Sequence, residues 1–279
     1  MRKMFRAACI LLSCLLLAGC GQTGKSIEKY RDAGIEALNA GDPAKAVEEF
    51  THALDYYGTS KPGFMETDIR RYLAEALMRS GDYAAADARY QELLADDGRK
   101  NEYLDLCAVC IVKAGGDLYE ALALYEEADG NGASGDAHMR AMFTLGEAMS
   151  ASGNEELKEK ARELYDRAAA EHGMTAELAV RLGNMSFQSG DYQGALDIFD
   201  EGLALSDAAL GAESVTEEKA AEIAETRRAL LYNSAVCQEY LGDYAAALAG
   251  MEAVASEYGT TEEMDHEIAF LRTRVDGGT

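Results

Sequence analysis

Two cysteines three positions apart are the first place to look for chemistry. Cys107-Ala108-Val109-Cys110 spells C-x-x-C, the spacing used in thiol–disulfide exchange when a helix N-terminus lowers one thiol pKa. A zinc site would need a second such pair, and only Cys237 follows them in the chain. The surrounding pattern puts Cys107 and Cys110 in the middle of a helix, so they are expected as small, partly buried core residues, with a labile redox pair as the alternative. His52, His138, His172 and His266 are scattered, with no two at metal-ligand spacing. No G-x-G-x-x-G, P-loop or G-x-S-x-G is present. Carboxylate pairs recur, but 50 acidic residues in 279 generate them by chance. The expectation is a chain with no catalytic residue, no metal and no cofactor.

One further thiol stands in a different setting. Residues 1–20 read MRKMFRAACILLSCLLLAGC. Arg2, Lys3 and Arg6 make a basic start, and an apolar stretch of 11 residues, interrupted only by Ser13, follows from Ala7 to Leu17. That stretch is too short for a bilayer span of about 20 residues and fits a secretory signal. Leu17-Ala18-Gly19-Cys20 resembles the lipobox of bacterial lipoproteins. The resemblance implies cleavage before Cys20 and a diacylglycerol and fatty-acyl lipid on its sulfur. An ordinary signal peptide with a chance cysteine is the alternative. Losing Arg2, Lys3 and Arg6 moves the net charge from −24 to −27. Residues 21–26 are expected as a linker reaching about 20 Å.

The elements that must carry these residues follow from composition and repetition. The chain is 48% hydrophobic, with only 2 Pro and no Trp, which suits a helical globular protein. With 26 basic against 50 acidic residues, it lacks the clustered cations that phosphate backbones need, which excludes a nucleic-acid partner. Gly-Asp or Gly-Asn recurs at residues 41, 81, 116, 153, 190 and 242. Seven residues earlier sits a mostly small residue: Gly34, Ala74, Val109, Gly146, Gly183 and Ala235. Five residues later comes Ala46, Ala86, Ala121, Ala195 or Ala247, and nine later Phe50, Tyr90, Tyr125, Phe199 or Met251. The fourth copy keeps Ala161 and Tyr165, shifted by three residues. Glycine ends a helix in the left-handed region, and the following Asp or Asn caps the next. The small residue lets two helices cross closely, and the large one fills the gap.

These residues resemble the tetratricopeptide repeat, a helix-turn-helix unit of about 34 residues; GDYAAADARY and GDYQGALDIF carry the likeness most clearly. The resemblance implies an all-α, right-handed solenoid of about six units over residues 27–258. Residues 1–19 are the signal, 20–26 the lipidated cysteine and linker, and 259–279 a capping helix and tail. First helices are expected near 27–40, 66–80, 101–114, 137–151, 175–189 and 216–241. Second helices are expected near 44–57, 83–96, 118–129, 155–171, 192–206 and 244–257. Residues 58–65 and 207–216 read as loops.

In the resembling family the first helices line a concave surface that takes protein or peptide partners. The repeat phase then assigns Arg31, Ile35 and Leu38 to the groove, followed by Arg71, Glu75, Met78 and Arg79. Tyr103, Leu106, Cys110, Lys113, Arg140, Phe143 and Glu147 come next, then Val180, Asn184, Phe187, Gln188, Tyr232, Val236, Glu239 and Tyr240. The cations Arg31, Arg71, Arg79, Lys113 and Arg140 make the groove neutral or basic against an acidic exterior. A two-carboxylate clamp known in the family wants Asn where Ile35 stands, so that ligand is not carried over. The expected function is a non-catalytic adaptor, lipid-anchored on the extracytoplasmic side of a bacterial membrane (the outer membrane where there are two). It would bind an envelope protein or peptide in its groove. The alternative is a subunit of an envelope secretion or assembly complex, held through the acidic convex face. Self-association through the groove is a further expectation.

Overall fold

The computed structural model describes residues 24–58, 62–212 and 215–277. Cys20 and the signal segment lie outside the described residues. Thirteen helices and no strand are present among the described residues. They form two compact units, one up to Ala148 and one from Met149.

The first unit contains α1 (24–39), α2 (Pro43–Leu54), α3 (Phe64–Arg79), α4 (Tyr83–Asp96), α5 (Asn101–Lys113), α6 (Leu118–Gly130) and most of α7 (Asp136–Ala151). The second contains α8 (Glu155–His172), α9 (Ala176–Gln188), α10 (Tyr192–Leu210), α11 (Glu217–Tyr240), α12 (Tyr244–Tyr258) and α13 (Glu262–Gly277).

The repeated residues build the turns by one mechanism. Gly41, Gly81, Gly190 and Gly242 have φ between 76° and 87°, a region that glycine enters without a Cβ clash. The Asp after each accepts a backbone N–H from the first turn of the next helix: Lys45, Ala85, Gly194 and Ala246, at 2.9–3.1 Å. The third repeat departs from the expected phase. Its left-handed residue is Gly115, not Gly116, and Asp117 caps from one position later, through the N–H of Tyr119. The additional glycine shifted the apparent repeat by one.

The alanines five residues after each turn are fully buried, as is Ala161 in the fourth repeat. So are Phe50, Phe199 and Met251 nine residues after it. The small and large positions face one another: a Cβ on Gly34 would lie 2.5 Å from the Phe50 ring, and one on Gly183 would lie 2.3 Å from Phe199. These positions are therefore small because an aromatic ring occupies the space their side chain would take.

Several boundaries differ from the sequence expectation. α2 ends at Leu54, three residues before the expected 57. α1 already includes 24–26, which were expected in the linker. α3 starts at Phe64, inside the expected 58–65 loop. α10 runs on to Leu210, because Leu203, Ala204, Leu205 and Ala208 are good helix formers and nothing breaks the helix before Gly211. The final helix takes its expected place. Ile268 and Leu271 are buried with Ala235, Ala247 and Met251, while Arg272 reaches out to Glu252. Such a polar outer face closes a repeat stack. No described helix is long and apolar enough to cross a membrane.

Candidate functional site: a recess between first helices

In the first unit, first helices α1, α3 and α5 present one turn of side chains to each other and to solvent. A recess of about 190 Å³ opens there, lined by Asp68, Arg71, Tyr72, Glu75, Met78, Tyr90, Glu102, Tyr103 and Leu106. Tyr90 and Tyr103 are almost wholly buried and form its floor. Met78 and Leu106 are half-buried.

Every arginine expected at this place is already matched to an acid. Arg31 reaches from α1 to Asp68 on α3 at 2.6 Å and lies 5.6 Å from the centre of the Tyr72 ring. Arg71 reaches from α3 to Glu102 on α5 at 3.2 Å and lies 5.8 Å from the Tyr103 ring. Arg79 pairs with Glu75 one turn back on its own helix at 2.6 Å. Thus two guanidiniums stitch neighbouring repeats, each between a carboxylate and a tyrosine face. Burial opposes the Arg71 charge, and Tyr103 and Glu102 outweigh it, so its pKa is raised. The same balance, with Asp68, raises that of Arg31. The recess is therefore neutral in charge and aromatic in character.

The other expected groove residues do not join this recess. Lys113 is exposed at the end of α5, Arg140 is exposed on α7, and Phe143 is half-buried there. Leu38 is buried, and Cys110 is fully buried. Cys110 is therefore a core residue rather than a groove one, near Asp87 and Tyr90 of α4. In the second unit, Asn184 accepts a hydrogen bond from Asn233 at 2.9 Å. Phe187, Tyr192 and Tyr240 form a three-ring cluster with centroids 4.8–5.1 Å apart. Tyr240 is 58% exposed and Tyr232 39%.

Both thiols of the C-x-x-C pair are free and fully buried, a setting that disfavours the reactive thiolate. Burial, then the Asp87 carboxylate, pushes the Cys110 thiol up to about 12, and the same causes drive Cys107 higher still. No group of three His, Cys, Asp or Glu residues is arranged to hold a metal ion among the described residues.

One chemical constellation escaped the sequence reading. His138 on α7 is buried, with Nδ1 2.8 Å from Oδ1 of Asp105 on α5 and Nε2 3.5 Å from Oδ1 of Asp129 on α6. Its ring stacks on Tyr125 at 4.5 Å. Burial opposes the imidazolium, and Asp105 and Asp129 outweigh it, raising the pKa. His138 and Asp105 lie 33 residues apart, one repeat length, which is the signal that could have paired them. His138 and Asp105 are shielded from solvent while Asp129 is partly exposed at the rim, and the cluster serves as a clamp between three helices.

Comparison with known proteins bears directly on this architecture. Tetratricopeptide repeat models match residues 37–110, 145–209 and 229–261, together more than half of the chain. The chain belongs to the tetratricopeptide repeat family. Tetratricopeptide repeat proteins are protein–protein interaction scaffolds, and solenoids of this kind offer extended concave surfaces. Among solved structures, a tetratricopeptide repeat protein from Parabacteroides merdae is 14% identical, with a TM-score of 0.52 over 89% of this chain and 99% of that one. PilW, described as a widely conserved type IV pilus biogenesis factor, is 14% identical, with a TM-score of 0.57 over 86% of this chain and 97% of its own. PilF of Pseudomonas aeruginosa is 17% identical, with a TM-score of 0.53 over 89% and 99%. At such identities the likeness is one of fold. No curated protein matches the sequence.

Proposed function

We propose that the protein is a non-catalytic adaptor, tethered through a lipid on Cys20 to the outer side of a bacterial membrane, which holds a segment of an envelope protein in the recess of its first unit. The recess itself carries this reading. Tyr72, Met78, Tyr103 and Leu106 offer an apolar, partly open surface whose charges are already internally balanced. A partner then binds by burying an apolar or aromatic side chain against these rings, the usual anchor of a peptide interface. Arg71, fixed between Glu102 and Tyr103, offers its outer N–H groups to the partner backbone without adding net charge. The tether rests on the basic start, the 11-residue apolar stretch and the Leu-Ala-Gly-Cys end of residues 1–20. Two acyl chains hold a protein stably at a bilayer where one does not.

A pull-down from detergent-solubilised envelopes tests the site. Met78→Asp and Leu106→Asp place a charge in the recess and should abolish capture of the partner. Ala88→Asp, on the exposed face of α4, should leave it unchanged. The reverse pattern would favour an assembly-complex subunit bound through the second helices, a role for which PilW offers a precedent of fold.

A further inference from the structure

Phe64 is 89% exposed, far more than any other large apolar side chain among the described residues. It is the first residue of α3 and follows Pro62-Gly63. The ion pair between Arg31 and Asp68 fixes its level. Arg31 lies seven residues, about 10 Å, along α1 from its described start, and Asp68 lies four residues, about 6 Å, from the start of α3. Because α2 reverses direction once and α3 reverses it again, α1 and α3 run the same way. Their N-terminal ends therefore lie within about one helical turn of each other at one edge of the first unit.

That edge has a distinct surface. Tyr56, 44% exposed just past the end of α2, stacks on Tyr30 of α1 at 6.1 Å. Lys25 and Lys29 are exposed on the first turns of α1, and neither has a carboxylate at salt-bridge distance among the described residues, although Glu28 lies between them in sequence. Of the carboxylates on the neighbouring α4 end, Asp96 is held by Arg70 and Asp97 by Lys100. Phe64 itself lines a shallow hollow with Asp68, Arg71, Asp96, Asp97 and Lys100, and Asp55 stands beside Tyr56. An exposed aromatic ring with a tyrosine and lysines at the same helix ends suits an edge seated at a membrane interface. The chain between Cys20 and residue 24 can reach no more than about 14 Å.

We infer that this edge docks on the lipid surface, with Phe64 entering the boundary between headgroups and acyl chains. The inference rests on the Cys20 tether and adds an orientation to it. The lipid holds one point and Phe64 a second, so α1 and α3 stand away from the bilayer and the recess between α3 and α5 opens sideways, along the membrane. Lys25 and Lys29 then face anionic headgroups, which offset the repulsion of an acidic chain.

Because the chain has no tryptophan, Phe64→Trp gives a single reporter at the proposed contact. The lipidated full-length variant is reconstituted into phosphatidylethanolamine–phosphatidylglycerol vesicles with and without brominated acyl chains. The indole emission of Phe64→Trp should shift to shorter wavelength on reconstitution and be quenched by the brominated lipid. Ala84→Trp, exposed at the opposite end of the same helix pair, should do neither. Protein that floats with the vesicles while the Phe64→Trp indole keeps water-like, unquenched emission overturns the docking and leaves the tether standing. Purified protein whose mass shows no lipid on Cys20 overturns the tether, and this inference with it.

Discussion

His138→Phe removes the imidazole of the buried clamp while keeping a ring to stack on Tyr125. In the wild type the His138 and Asp105 side chains are only 5% and 7% exposed. The variant leaves the Asp105 carboxylate buried opposite an apolar ring, and breaking a buried pair from one side costs about 3–5 kcal/mol. Removing both partners should cost much less, because no charge is left uncompensated; Asp105→Leu/His138→Phe is therefore expected to regain most of the loss. The pH dependence has a definite sign. Asp105 and Asp129 raise the folded-state pKa above the ordinary 6.5, so the charge contribution is complete below about 6.5 and is lost as pH rises through the folded value. The gap between wild type and His138→Phe should thus be widest in mild acid and narrow toward alkaline pH. It does not close, because a neutral imidazole still donates from Nδ1 to Asp105. Urea unfolding followed by circular dichroism over pH 5–9, with hydrogen exchange to localise the loss to α5–α7, reads both effects. A difference below about 1 kcal/mol at pH 6, the range of an ordinary exposed pair, with no pH trend, would refute the clamp.

Three further outcomes follow from the same geometry. Gly183→Ala should gain about 1 kcal/mol in helix propensity and lose about 1–3 kcal/mol to the clash with Phe199; thermal unfolding should show a net loss that Phe199→Leu reverses. Arg71→Ala breaks a pair exposed on both sides, 44% and 57%, and should cost under about 1 kcal/mol in urea titration while weakening partner capture. Cys107 and Cys110 should be unreactive toward a thiol-disulfide reagent at pH 8 in the folded protein and react fully in denaturant; rapid reaction of one thiol when folded would restore the redox alternative.

The sequence carried the helical frame because the repeat chemistry is local. Gly41, Asp42 and Phe50 announce a turn, a cap and a packing knob within ten residues, and each does what its type suggests. The third repeat misled by one residue because Gly115 and Gly116 are adjacent and only the backbone reveals which is left-handed. The site was legible in part. Arg71, Met78 and Leu106 line the recess as their helical phase implied, yet Cys110, one turn beyond Leu106, points into the core. The acids that neutralise the arginines, Asp68 and Glu102, were not legible, since which carboxylate meets which guanidinium depends on how successive repeats pack. The same holds for His138, whose partner on α5 is distant in the chain but adjacent across the stack.

The central claim is that the first-unit recess holds a partner at the membrane. A photo-crosslinking amino acid placed at Met78 in living cells tests it most directly, with the same substitution at Ala88 as the control. One dominant adduct with an envelope protein is expected from position 78, absent from position 88 and lost when Leu106→Asp is added. Adducts from position 88 alone, or from 78 regardless of Leu106→Asp, would contradict it.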